Sequence, residues 1–279
     1  MYFVCSCVCR RWVAAVAVVA FAGVSGAGNP FAAEVVGYDA GVGAAPGYTD
    51  ASTALGSATR FTGEALGFPS VVSPFSPPFG GDEIVSVGFG GSLTLRFDTP
   101  IVDSGANPFG VDFIVFGNSG FIDTSFPSGS VGANPGMFGV GALVRVEASA
   151  DGVSWFDVET RQLDLMPTLG YLDSGPFDSV PGSVETNFRV AMDPMVGLSD
   201  LAGLSYTELV DLYGLSGGGI GFDLSSSGLS AASFIRLVHA GAIGETFEID
   251  AVSIVPAPAT LSLVFFGCLN AARRRRASA

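Results

Sequence analysis

Residues 142–158, ALVRVEASADGVSWFDV, restrict the fold of this chain more than any other stretch. Val144, Val146 and Ala148 alternate with Arg145, Glu147 and Ser149, the period of two expected of a strand with one buried face. Asp151-Gly152 then interrupts the alternation. An Asp-Gly pair between two such runs predicts a hairpin closed by a type I′ turn, because both residues tolerate positive φ. Residues 154–158 return, carrying Trp155 and Phe156, whose broad flat side chains suit either a sandwich core or the floor of a shallow ligand groove.

The same punctuation recurs along the middle of the chain, where many of the 39 Gly and 16 Pro separate short apolar runs. Residues 92–97 alternate Leu93, Leu95 and Phe97 with Thr94 and Arg96, and residues 111–116 read as an apolar central strand covered on both faces. Residues 234–238 and 247–255 supply two late strands. Between residues 163 and 200, Pro167, Pro176, Pro181 and Pro194 accompany little periodicity, which predicts a functional or disordered loop. One helix is expected. Ser205 and Glu208 form a capping box, Leu209 and Leu212 share a face, and Gly214 closes the C-terminal end, so a helix of barely two turns caps the sandwich. The pattern is that of an all-β protein, a β-sandwich of about eight strands, and not of α/β units.

Charge and cysteine usage separate the middle of the chain from its ends. There is no Lys; Arg10, Arg11 and residues 273–276 place six of the twelve Arg in the terminal segments. Six Arg against 26 acidic residues remain between residues 28 and 255, a formal charge of −20 that disfavours nucleic acid and anionic lipid as partners. Cys5, Cys7, Cys9 and Cys268 all lie in the end segments. A chain trimmed at both ends therefore has no disulfide, zinc site or thiol nucleophile. Residues 1–27 have the order of a secretory signal peptide: Arg10-Arg11, the apolar residues 12–24, then Ser25-Gly26-Ala27, with cleavage expected after Ala27. The apolar run is too short to span a bilayer stably. Cys9 and Val13 do not fit the flanks of a twin-arginine signal, so general secretion is the expected route.

The last segment, VPAPATLSLVFFGCLNAARRRRASA, joins a Pro-bracketed motif to a short apolar run and an Arg cluster. It resembles the PEP-CTERM sorting signal. Val255, Pro256 and Pro258 match that family's motif, Ala257 stands where the family has Glu, and Arg273, Arg274, Arg275 and Arg276 form the basic end. The resemblance implies that an exosortase-type sorting protease recognises and cleaves the tail during a transient inner-membrane association, and that the product reaches the cell surface or exterior. A short apolar segment followed by Arg halts in a membrane with its positive end in the cytoplasm, in keeping with that order of parts. The series YTDASTALG, FGGSLTLRFDTPI, VDFIVFGN, VRVEASADGVSWFDV, LAGLSYTELVDLYGLSGGGIGFDL and FEIDAVSIV, across about residues 47–255, resembles bacterial cell-surface proteins similar to the discoidin-like, galactose-binding-like jelly rolls. That resemblance implies a jelly roll with carbohydrate affinity and no activity. The plan is then a signal peptide over residues 1–27, a sandwich domain over 28–254 and a sorting tail with a short membrane helix over 255–279.

Candidate sites follow from residue types. Trp155 is the candidate ligand-binding residue, through stacking on a sugar. Calcium is the one cofactor the abundant hard oxygen ligands admit, with Asp50, in a Gly-Tyr-Thr-Asp turn, and Asp250, on the last strand, as candidate ligands. Residues 214–218 match G-x-S-x-G, but they follow a helix, and His239 is the single His available as a base. Residues 217–221 lack the Lys of a phosphate loop and read as a flexible turn. The expected function is non-enzymatic, an exported surface or extracellular-matrix protein with affinity for polysaccharide. The alternative is a secreted carbohydrate-active enzyme built on a carboxylate pair, although no pair stands out by spacing.

Overall fold

The computed structural model describes residues 28–163 and 165–257. The expected signal peptide and the tail from Pro258 onward, with its four Arg, lie outside the described residues, as does Asp164. In chain order come β1 (Glu34–Asp39), β2 (Phe61–Thr62), β3 (Ser70–Val71), β4 (Val85–Val87) and β5 (Ser92–Val102). Then follow β6 (Phe113–Phe116), β7 (Gly120–Phe121), β8 (Met137–Phe138), β9 (Val144–Ser149) and β10 (Phe156–Arg161). After α1 (Leu198–Leu201) and α2 (Tyr206–Tyr213) come β11 (Ile220–Phe222), β12 (Ala231–His239), β13 (Phe247–Ile249) and β14 (Ala251–Ile254).

Two layers make a β-sandwich. One is a five-stranded antiparallel sheet in the order β1-β5-β12-β9-β10; the other is built from β11-β6-β14 and the pair β13-β4. Leu93, Leu95, Val144, Val146, Ile235 and Leu237 of the first meet Phe113, Val115, Phe222, Val252 and Ile249 of the second in one core. The rings of Phe113 and Phe222 stack there with centroids 5.2 Å apart. The long strands β5, β9 and β12 contribute alternate residues to this core, which is why period-2 alternation found them. The strands beyond the expected eight are pieces of two to four residues, too short to show a period.

The central strand β6 is buried on both faces, as its apolar run predicts. Phe113 and Val115 face the main core, while Ile114 and Phe116 face a second cluster with Val111, Phe188 and Ala191. Phe188 belongs to the Pro-rich excursion, whose described residues are not a disordered loop but the cover over the outer face of β6. Its backbone is held by irregular long-range bonds: Arg60 donates to the carbonyls of Gly170 at 2.6 Å and Thr186 at 2.8 Å, and Tyr171 bridges Glu185. The apolar run itself also needs correction, because Asp112 precedes the strand as a buried carboxylate.

Four other local expectations change. The hairpin of β9 and β10 forms, with Ala148 opposite Phe156, but its connection is a six-residue loop and not a type I′ turn. Only Gly152 takes positive φ, at 75°; Asp151 instead closes the loop with its side chain, accepting from the backbone N–H groups of Val153 and Ser154, each at 2.8 Å. In α2 the capping box is present, but the buried stripe is Tyr206, Leu209 and Tyr213, and Leu212 faces solvent. The last strand breaks at Asp250, so that β13 pairs with β4 and β14 with β6. Residues 217–221 are tightly packed. A Cβ on Gly219, whose φ is +76°, would lie 2.6 Å from Ile114 Cγ2, and one on Gly217 would lie 2.2 Å from the Phe188 ring.

Candidate ligand-binding face and carboxylate cluster

Residues opposite one another in an antiparallel register share a face. Asp157, Glu147, Arg236, Thr94 and Gly37 are successive partners across β10, β9, β12, β5 and β1, so one outward row crosses the whole five-stranded sheet, roughly 19 Å at the usual strand spacing. A neighbouring row runs through Ser149, Phe234, Arg96 and Glu34. Three of the six Arg among the described residues, Arg96, Arg145 and Arg236, stand on this face.

Glu147 organises it. Its side chain is 7% exposed, Arg236 Nε donates to its Oε2, and Arg145 Nη1 lies 3.2 Å from its Oε1. Two cations on one buried carboxylate hold all three side chains in place. Trp155 then lies against the pair: the Arg236 guanidinium sits 4.1 Å from the centre of its ring. The hairpin loop produces this placement, because Gly152 packs against the Phe234 ring and leads the chain back over the sheet. Trp155 is thus a half-buried side chain on the outer face, packed on a charge and not in the sandwich core. Around it lie hydrogen-bonding groups of both signs, an arrangement suited to a polyol with one apolar face.

Among the described residues neither calcium candidate belongs to a group of three or more carboxylates close enough to share an ion. Asp50 caps the turn at residues 51–54, accepting from Ser52 N at 2.9 Å and Ser52 Oγ at 2.6 Å, bonds that lower its pKa. Asp250 is wholly buried and accepts from Thr59 N at 2.9 Å and Thr59 Oγ1 at 2.8 Å. Burial, with the charge of Glu83 adding to it, pushes its carboxyl up to about 7. Sequence reasoning missed the group that does meet. Asp103, Asp112 and Asp223 each offer an oxygen within 4.8 Å of the others, from the ends of β5, β6 and β11. Asp112 accepts from Ser104 N, Asn107 Nδ2 and Leu224 N, and burial raises its pKa. Asn107 Oδ1 is buried beside it without a partner. Hard oxygen donors of this kind fit calcium or magnesium. An Asp at each end of an Asn-Pro-Phe-Gly loop was the available signal; Asp223 arrives only through the pairing of β11 with β6.

The hydrolase-like motif is structural. Ser216 is buried, its Oγ donates to Val190 O at 2.6 Å and accepts from Gly218 N at 3.1 Å, which leaves no nucleophile presented to solvent. His239 lies between the rings of Phe89 and Phe247, with Nε2 3.0 Å from Glu245 O. Of the sorting motif, Val255 is buried and donates to Asp112 O at 2.9 Å, while Pro256 and Ala257 are exposed. Among the described residues no helix is long and apolar enough to cross a membrane.

No protein-family model matches the chain, and no curated protein does. Among solved structures it is similar to CBM32-3 from a family 31 glycoside hydrolase of Clostridium perfringens, at 13% identity and a TM-score of 0.26, over 61% of this chain and 74% of that one. The sandwich assignment rests on the strand pairing above and not on this likeness.

Proposed function

We propose that the chain is an exported, non-enzymatic surface or extracellular-matrix protein whose sandwich binds neutral polysaccharide on the outer face of its large sheet. The observation that carries the reading is Trp155, held half-buried over Arg236 within a flat field of paired Arg and carboxylate groups. A sugar presents an apolar face to such a ring and its hydroxyls to the flanking charges. Export follows from the signal-peptide order of residues 1–27. Sorting follows from the likeness of residues 255–279 to an exosortase substrate, with the product released to the cell surface or exterior.

Affinity electrophoresis through gels containing neutral polysaccharides tests the binding part. The wild-type protein is retarded by at least one of them, and W155A loses roughly tenfold in affinity while keeping its melting temperature. Absence of retardation on every polymer, or equal retardation of W155A, refutes the assignment. For the tail, replacement of Arg273, Arg274, Arg275 and Arg276 by Ser removes the positive-inside signal, so the product leaves the cell uncleaved. A variant still trimmed near Pro258 and found where wild type is found overturns the sorting reading.

A further inference from the structure

A second site lies away from the sheet face, where the two ends of the described domain meet. Pro30, Thr99, Pro100, Val102, Arg189 and Val255 line a cavity of about 270 Å³. Its lining is apolar except for Thr99 and Arg189. The state of Arg189 sets it apart from every other Arg among the described residues. Arg60, Arg96, Arg145, Arg161 and Arg236 each pair with a carboxylate within 4.0 Å. The Arg189 guanidinium has neither an ion pair nor a hydrogen bond, and its Nε is buried without an acceptor. In a domain with 26 carboxylates for six Arg, an unmatched guanidinium is not explained by a shortage of partners. Buried polar groups are nearly always satisfied, and an orphaned charged donor costs more than a neutral one.

The backbone that carries this side chain is fixed on both sides. Ser253 Oγ donates to Phe188 O, Ser216 Oγ donates to Val190 O at 2.6 Å, and Arg189 N donates to Asn187 Oδ1 at 3.0 Å. Phe188 is itself locked into the cluster over β6. Two buried hydroxyls thus clamp the carbonyls flanking one residue whose own side chain has no partner. The backbone is preorganised, with Nε buried and the two Nη groups left open to the cavity and solvent.

We infer that this cavity binds a small ligand with a carboxylate, taken by the Arg189 fork, and an apolar flank set against Pro30, Pro100 and Val102. A volume of about 270 Å³ is at the lower end for ligand pockets, so the occupant is a single ring or a short chain and not a stretch of polymer. Bidentate geometry selects a planar carboxylate over a neutral hydroxyl or amide. The inference goes beyond the polysaccharide reading and does not depend on it.

Amide chemical shifts of the full chain, titrated with glucuronate and with butyrate, each against its neutral counterpart glucose or butyramide, test it. Either acid shifts the amides of Val102 and Val255 and the neutral counterparts do not; a response to both makes the carboxylate sufficient, and a response to glucuronate alone assigns an acidic sugar. R189Q weakens binding roughly tenfold to a hundredfold, and R189K recovers only part because it lacks the fork. Since Arg189 makes no internal contact that Gln would break, R189Q melts with wild type. W155A leaves these titrations unchanged, which separates this site from the sheet face. Failure of both acids to move the cavity amides, or equal binding by R189Q, overturns the inference.

Discussion

Substituting Asp250 by Asn removes one buried carboxyl's share of the stability that the sandwich loses as pH rises. Asp250 sits at the break between β13 and β14, with its backbone N–H on Phe116 O at 2.9 Å and its carboxyl on Thr59. Burial outweighs the two Thr59 bonds and lifts its pKa from 3.8 to about 7. The folded protein therefore keeps a proton that the unfolded chain releases near pH 4. A folded pKa raised above the unfolded one places the stabilised range below the unfolded value, and stability is lost as pH rises toward the folded value. The loss is about 1.4 kcal/mol per pH unit between the two values, so roughly 2 to 3 kcal/mol disappears between pH 5 and pH 8.

Asn keeps the shape and one acceptor for Thr59 and carries no charge. Urea unfolding followed by circular dichroism at pH 5 and pH 8 reads the difference. D250N is comparable to or less stable than wild type at pH 5 and gains roughly 2 to 3 kcal/mol on it by pH 8. Asp112, whose pKa burial also raises, contributes the same slope to both proteins and cancels in the comparison. Parallel pH profiles for wild type and D250N refute the argument, because they mean that Asp250 is ionised in the folded state throughout.

The other predictions are more local. G219A destabilises by more than about 2 kcal/mol in urea, combining the cost of positive φ with a Cβ placed 2.6 Å from Ile114, whereas G228A, with equally positive φ and open space, loses only about 1 kcal/mol. R60M costs about 1 to 3 kcal/mol by taking the donor from Thr186 O, while Gly170 O keeps its bond from Thr186 N at 3.1 Å, and R60K restores only part because Lys lacks the fork. Asp173 is held at about 2 by Val184 N, Ser183 Oγ and Ser183 N, so its contribution is present above about pH 4 and lost as pH falls through 2; D173N flattens the acid limb of an unfolding profile over that window.

What was legible in the sequence was what is local. Val144, Val146 and Ala148 reveal β9 because alternation is imposed by the pleat itself, and Ser205 with Glu208 reveals the start of α2 because a capping box closes within one turn. β1 escaped notice: Gly37 and a register shift between Val35 and Gly37 destroy its alternation. The excursion escaped because its order lies in contacts such as Arg60 with Thr186 and Phe188 with Phe116, which join distant parts of the chain. The site shows the same division. Trp155 was legible as a broad side chain beside a turn, but its partner Arg236 depends on the β9–β12 register, and Arg189 carries no local sign that it would stand without a carboxylate.

Salt separates the two binding readings. On the sheet face, Arg96, Arg145 and Arg236 each pair with carboxylates drawn from Glu34, Asp98, Glu147 and Asp157, so the face presents charge of both signs and only a small net charge. A neutral polysaccharide there exchanges hydrogen bonds with water for hydrogen bonds with fixed groups, an exchange that Debye screening hardly touches. At Arg189 a carboxylate pairs with one unbalanced cation inside a domain of formal charge −20, so local attraction opposes a repulsive field from the rest of the surface. Near the cavity mouth both are screened, and the short-range pair is partly sheltered by the apolar walls. Raising salt from about 20 to 500 mM accordingly leaves retardation on polysaccharide unchanged and alters the acid titrations measurably. Polysaccharide retardation that collapses in salt places its binding on charge and not on Trp155, and contradicts the face as described.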